Sequence, residues 1–248
     1  MITAGVDLSS QDVRTASCRI EWSVSGAKIL DLSLGTSDVQ IINLIQSADK
    51  VGVDVPLGWP MAFVEALAQH NSDGSWPSDY NHSDTLAVRY RRTDLAVWRI
   101  IKGNPPLSVS TDKIALPAMR SAAMLSRLPY RVALDGSGVV VEVYPAAALK
   151  RWGFESRGYK GRDNVQARQR LVTTFYDATT TWLGMTDEQL SLCAASDDAF
   201  DAVVCALVAR ASARLLCEPI GDEDWPAALI EGWIALPREH SLAQLAMD

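Results

Sequence analysis

Two carboxylates three residues apart, Asp198 and Asp201, open the stretch SDDAFDAVVCALV at positions 196–208. Phe200, Val203, Val204, Leu207, Val208, Ala211 and Leu215 recur at helical spacing and predict an amphipathic helix with a thick apolar stripe. Residues three apart on a helix are surface neighbours, so the two carboxylates point the same way. Like charges held close repel unless positive charge lies between them. Hard divalent cations are the usual partners of such pairs. The same residues also suit an ordinary helix start, with Ser196 or Asp197 as the cap and acids favoured by the helix dipole. Three further acids tilt the balance toward chemistry, each on or at the end of an apolar strand. They are Asp7 in ITAGVDL, Asp54 in KVGVDV and Glu142 in VVVEVYP. A carboxylate in so apolar a run is costly unless it is paired, hydrogen-bonded or metal-bound.

The elements that must position these acids are legible from pattern. Residues 2–8, 13–22 and 28–34 predict three strands joined by short turns, an antiparallel meander. Residues 38–47 predict a helix capped by Ser37 or Asp38, with Val39, Ile42 and Ile45 on one face. This crossover leads to a strand at 50–55 and makes part of the sheet parallel. Pro56 ends that strand, and Gly58 lets the next loop turn tightly. Residues 71–84 predict a surface loop, and 111–128 a helical region interrupted or restarted by Pro117. A strand covered on both faces follows at 139–143, then helices at 146–152 and 164–183, and a short apolar segment ends at Pro237. The expectation is one α/β domain over 1–248, with a mixed five-stranded central sheet flanked by helices and a helical and loop insertion around 61–130.

Composition bounds the function classes. The 248 residues are 48% hydrophobic and 21% charged, as in a globular protein. No run reaches the eighteen or so apolar residues of a membrane helix, and the first residues carry no signal-peptide pattern. Cys18, Cys193, Cys205 and Cys217 form no CxxC pair and predict buried thiols in a reducing cytoplasm. His70, His82 and His240 are too scattered to argue for zinc. A net charge of -7 argues against indiscriminate coating of nucleic acid. Two basic islands stand against it. Residues 89–102 carry five basic residues against one acidic, and residues 150–170 carry seven against two. Arg89, Arg91, Arg92, Lys160 and Arg162 are the candidate phosphate contacts. Gly153, Gly158 and Gly161 predict that the second island is a mobile loop.

The motifs GVDLSS, VGVDVPLGWP, RRTD, VVVEVYP, DDAFDA and EGWIALP resemble domain-of-unknown-function family 429 (DUF429), described as predicted ribonuclease H-like nucleases. The resemblance runs over 5–237 and implies a ribonuclease H-like fold with an acid at the centre of the first strand and another at the end of the fourth. It implies a catalytic and metal-binding set of Asp7, Asp54, Glu142, Asp198 and Asp201, with Arg92 and Asp94 as secondary candidates. The Asp-x-x-Asp pair is similar to that of Holliday-junction resolvases. The implied activity is hydrolysis of nucleic-acid phosphodiesters by a two-metal mechanism, with Mg2+ as cofactor and Mn2+ as substitute. Two alternatives stand beside it. GVDLSS is loosely similar to the first phosphate loop of actin-like ATPases and kinases, although Leu8 stands where that loop has glycine and the chain holds no second copy of the domain. A non-catalytic binding module would keep the acids for folding.

Overall fold

The computed structural model describes residues 1–77, 79, 81–103 and 105–247. Strands β1 (Ile2–Asp7), β2 (Ala16–Ser23) and β3 (Gly26–Leu34) pair as an antiparallel meander. Helix α1 (Asp38–Ser47) then crosses to β4 (Lys50–Asp54), which lies parallel to β1. Helices α2 (Met61–Asp73), α3 (His82–Arg89), α4 (Arg92–Ile101) and α5 (Ala115–Leu125) precede β5 (Val140–Glu142), parallel to β4. Then come α6 (Pro145–Arg151), α7 (Val165–Thr179), β6 (Leu183–Gly184), α8 (Asp187–Ala195), α9 (Asp197–Ala213) and α10 (Trp225–Glu231). The sheet is mixed, in the order β5-β4-β1-β2-β3-β6.

Several expectations are corrected. The sheet has six strands, not five, because the far end of the helix predicted over 164–183 becomes β6, pairing parallel with Ala27 and Lys28 at the β3 edge. Two residues are too few to show the alternation that marks a strand. The loop predicted over 71–84 holds the end of α2 and the start of α3, whose cap is Asn81 accepting from the amides of Ser83 and Asp84. Ser78 and Tyr80, within that stretch, lie outside the described residues. The first residues of the predicted second strand form a 3-10 turn at Asp12–Arg14. On α1, Ser37 is the cap, but Ile41 and Ile45 are the buried residues while Val39 is exposed.

Two apolar layers sandwich the sheet. Ala4, Val6, Val51 and Val53 point toward α1 and α5, whereas Cys18, Ile20, Trp22 and Val141 point toward α7 and α9. Helix α9 is not an amphipathic surface helix: every residue from Ala199 to Ala211 is buried. A helix apolar on all sides belongs in the middle of a core. It lies directly on the sheet backbone. A Cβ at Gly5 would sit 2.0 Å from the Ala202 carbonyl oxygen, and one at Gly52 would sit 2.3 Å from that of Cys205. Both glycines are required by this approach, since no side chain fits between strand and helix.

Gly5→Ala and Gly52→Ala are therefore each expected to destabilise the protein by about 1–3 kcal/mol or more through overpacking against backbone that cannot yield. Gly184→Ala, where the nearest atom to a new Cβ is 3.5 Å away, should stay within about 0.5 kcal/mol. Urea unfolding of the three variants checks this; equal midpoints would show that α9 does not rest on the glycines.

Candidate active site

Asp7 and Asp54 are the last residues of β1 and β4 and pair across the parallel ladder. Side chains alternate along a strand, so these acids share the face of Gly5 and Gly52, the face covered by α9. Asp198 precedes Ala202 by four residues, and Asp201 precedes Cys205 by four, which places both one turn back on the helix face that touches the glycines. The close packing of α9 thus brings Asp201 to the ends of β1 and β4, with Asp198 half-buried beside it.

Asp201 is fully buried, with a hydrogen bond at one oxygen and an ion pair at the other. The Tyr159 hydroxyl donates to Oδ1 at 2.8 Å, and Lys160 Nζ lies 2.6 Å from Oδ2 and 3.9 Å from Asp54 Oδ2. Lys160 meets Oδ2 away from hydrogen-bonding direction, so the contact is ionic rather than a directed bond. Arg168 holds these two partners in place. Its buried guanidinium donates to the carbonyls of Tyr159 (2.8 Å), Gly161 (3.1 Å), Ala194 (3.0 Å) and Ala195 (2.8 Å) and reaches Asp197 Oδ1 at 3.4 Å. The Gly161 amide donates to Asp197 Oδ2 at 3.2 Å. The predicted mobile loop is thus anchored at its 159–161 end. Gly153, Gly158 and Gly161 occupy left-handed turn positions with φ of 87, 68 and 89°.

Glu142 is not delivered to this cluster. Its register partner is Val53, whose side chain points to the opposite face, so Glu142 projects away from Asp54. Arg91 donates to both of its oxygens, at 2.6 and 2.7 Å, and the Leu57 amide donates to Oε2 at 2.9 Å. Arg91 also binds Asp94 at 2.8 Å. Arg91, expected as a phosphate contact, is therefore a buried counter-ion inside a carboxylate pair. Two more expected contacts are engaged elsewhere. Arg89 lies over the Tyr90 ring at 5.0 Å, and Arg92 bonds Asp224 at 2.7 Å. Arg162 is exposed in a 3-10 turn, on a separate groove that it shares with Asp197 and Asp198. Sequence reasoning passed over Tyr159, which only adjacency to Lys160 marks, and counted Arg168 within the basic island over 150–170 without its buried bracing role.

The acids border a cleft of about 450 Å³ that Asp7, Asp54, Lys160 and Glu142 share with Tyr144, Arg157 and several apolar residues. Burial raises the Asp7 carboxyl well above its usual range, and Asp54, Asp201 and Asp198 raise it further against the pull of Lys160. Burial likewise pushes Asp54 to about 7, where Asp201 and Glu142 add to it and Lys160 opposes. Asp201 and Asp198 are also raised, each chiefly by burial. Burial alone would lower Lys160, but Asp201, Tyr159, Asp54 and Asp7 together hold it well above the ordinary lysine range. Glu142 is raised by burial, with Arg91 opposing the shift. The cluster holds more carboxyl groups than Lys160 can pair, and burial favours the protonated form of Asp7 and Asp54. Among the described residues, no three His, Cys, Asp or Glu side chains are disposed to hold a metal ion in this conformation.

Two outcomes follow. Asp54 retains a proton in the folded protein up to about pH 7, whereas the unfolded chain loses it near its ordinary 3.8. The folded state thus binds more protons between these values, and its stability falls as pH rises through that window. In chelator, wild type should lose on the order of 2 kcal/mol, or about 4–8 °C of Tm, relative to Asp54→Asn between pH 4 and 8. Parallel melting curves would contradict this. Arg91→Met should leave Glu142 and Asp94 without their buried counter-ion and destabilise by about 3–5 kcal/mol. Restoration of much of that loss by Glu142→Gln, measured in a double-mutant cycle, identifies Glu142 as a member of the ion pair.

Among the described residues no helix is long and apolar enough to cross a membrane. All four cysteines are free thiols, three of them buried. No curated protein matches the chain, and no solved structure matches it either. The family model described as "Protein of unknown function (DUF429)" matches residues 5–224, a stretch that runs from Gly5 within β1 through β4, β5 and α9 and includes every acid of the cluster, and the chain belongs to that family.

Proposed function

We propose that this protein is a metal-dependent nuclease that hydrolyses nucleic-acid phosphodiester bonds on a ribonuclease H-like fold. One observation carries the reading: Asp7, Asp54 and Asp201 come from two strands and a helix to one end of the sheet, with a single ammonium among them. The element order supports the fold. A meander, a crossover helix, a parallel β4 and a later acid-bearing helix follow in turn, with Asp7 ending the central β1 rather than lying at its middle.

The oxygen chemistry of these carboxylates, though not their present spacing, suits a hard divalent ion, and burial with like-charge repulsion leaves Asp7 and Asp54 short of positive charge when ionised. Asp7, Asp54 and Asp201, with Asp198 beside them, are the residues that would hold Mg2+ or Mn2+. When bound, such an ion supplies Lewis-acid stabilisation and a nucleophilic water at neutral pH. The chain's own residues do the rest. Lys160 opposes the burial that raises the Asp201 carboxyl and, with 49% of its side chain exposed, offers positive charge to a phosphate oxygen. Tyr159 fixes the Asp201 carboxylate by donating to its other oxygen. Glu142, Arg91 and Asp94 hold the strand ends and the Leu57 amide as a frame.

Mn2+ calorimetry and oligonucleotide cleavage test this together. Asp7→Asn should weaken metal binding and cut cleavage on the order of 100-fold. Its metal-free Tm should stay at or above wild type, because a crowded charge is removed. Wild-type protein that takes up no Mn2+, or cleavage that survives Asp7→Asn, would sink the reading.

A further inference from the structure

The two basic islands do not form an open track for a duplex backbone. Arg91 and Arg168 are buried, Arg92 bonds Asp224, Arg151 binds Glu218, and Lys150 donates to the Lys102 carbonyl at 3.0 Å. Five of the twelve basic residues in the two islands are thus engaged within the protein. The cleft beside the acids keeps Lys160 and Arg157, and no ion pair engages Arg157 among the described residues. Its remaining surface is mainly apolar.

Pro106, Leu107 and Ile114 form one apolar wall, with Leu8 and Val55 continuing it from the ends of β1 and β4. This wall is pinned. The buried Ser108 hydroxyl donates to the Arg89 carbonyl at 2.6 Å, and the Ser108 amide donates to Asp112 at 2.8 Å. Leu107 nevertheless leaves 47% of its surface open. At about 450 Å³ the cleft has the size of a small-molecule site rather than of a duplex groove. Its lining combines ionic groups suited to a metal-bridged phosphate with apolar groups suited to a flat ring.

Resting on the nuclease reading, we infer that the cleft takes one nucleotide at a time, either free or at the end of a single strand. The phosphate lies at Asp7, Asp54 and Lys160, and the base lies against Pro106, Leu107 and Ile114. Duplex DNA and RNA are then poor substrates, because a paired base cannot enter the cleft without leaving its stack.

Calorimetry in Mn2+ with thymidine 5′-phosphate, ribose 5-phosphate and inorganic phosphate reads the base contact directly. Thymidine 5′-phosphate should bind at least about tenfold more tightly than ribose 5-phosphate, in line with the worth of a base on an apolar surface. Leu107→Ser, at an exposed position outside the acid cluster, should bring that ratio close to one and leave the affinity for inorganic phosphate within about twofold. In cleavage assays, single strands should lose terminal nucleotides while blunt duplexes stay intact. Equal affinity for the two sugar phosphates, or internal nicking of duplex as fast as of single strands, overturns the inference and leaves the nuclease reading standing. Base-selective binding of thymidine 5′-phosphate with no ester cleaved supports the inferred ligand and removes the hydrolase. Mn2+ uptake with no nucleotide binding overturns the inference.

Discussion

The molecule depends on one close approach: the backbone of α9 lying on the backbone of β1 and β4 at Gly5 and Gly52. Every other feature of the site follows from it geometrically. The glycines are register partners, and so are the acids two residues further on. The helix residues that touch the glycines are one turn from Asp198 and Asp201. A helix held off by ordinary side chains would stand near the usual 10 Å from the sheet. Asp201 would then be out of reach of the strand ends. The glycines that look like weak points in two strands set the distance at which the acids meet.

Burying that contact obliges the protein to bury charge, and it does so in three separate arrangements. Asp201 is matched by Tyr159 and Lys160, Glu142 by Arg91 and the Leu57 amide, and Asp197 by Arg168. The Glu142 pair is closed, with cation and anion both shielded, and in the Asp197 pair the cation is buried while the acid reaches the surface. The first is open, since Lys160 keeps half of its side chain in solvent and faces three carboxylates. A closed ion pair holds a fold together without being able to take a ligand. The open arrangement has carboxyl groups left over, Asp7 and Asp54, and acids raised this way at the mouth of a cleft mark a candidate site rather than a brace.

Much of this was legible in the chain. The acids Asp7 and Asp54 stood out because a carboxylate in an apolar strand needs a reason, and the meander and crossover followed from alternation and turn residues. Asp198 and Asp201 stood out by spacing. Glu142 met the same test as Asp54 and has a different role. Apolar flanks show that a charge is buried, but only the register between β4 and β5 shows which face it takes. One residue of offset moves a side chain to the other side of the sheet. The basic islands failed for a related reason. Counting charge along a segment cannot tell a guanidinium aimed at solvent from one aimed at carbonyls, as Arg168 is. Helix α9 read as striped because its alanines were taken as neutral filler. They are the contact surface.

The family match runs from Gly5 within β1 past the end of α9 and carries no activity with it, so function has to be argued from the cluster itself. A carboxylate set kept only for folding would be expected to be neutralised in place, as Glu142 is, because an unpaired buried charge destabilises the core around it. Asp7 and Asp54 are not neutralised in that way. Burial raises both carboxyls, Asp54 and Asp201 add to the shift at Asp7 and Asp201 to that at Asp54, and the Lys160 ammonium that opposes this is shared among all three. Such an arrangement leaves the metal-free fold less stable than its neutralised counterpart. Structures that hold strain of this kind do so where a bound partner relieves it. The cleft at the same strand ends gives that partner a way in. The instability and the access occur at one place, and together they favour a ligand site over a folding device.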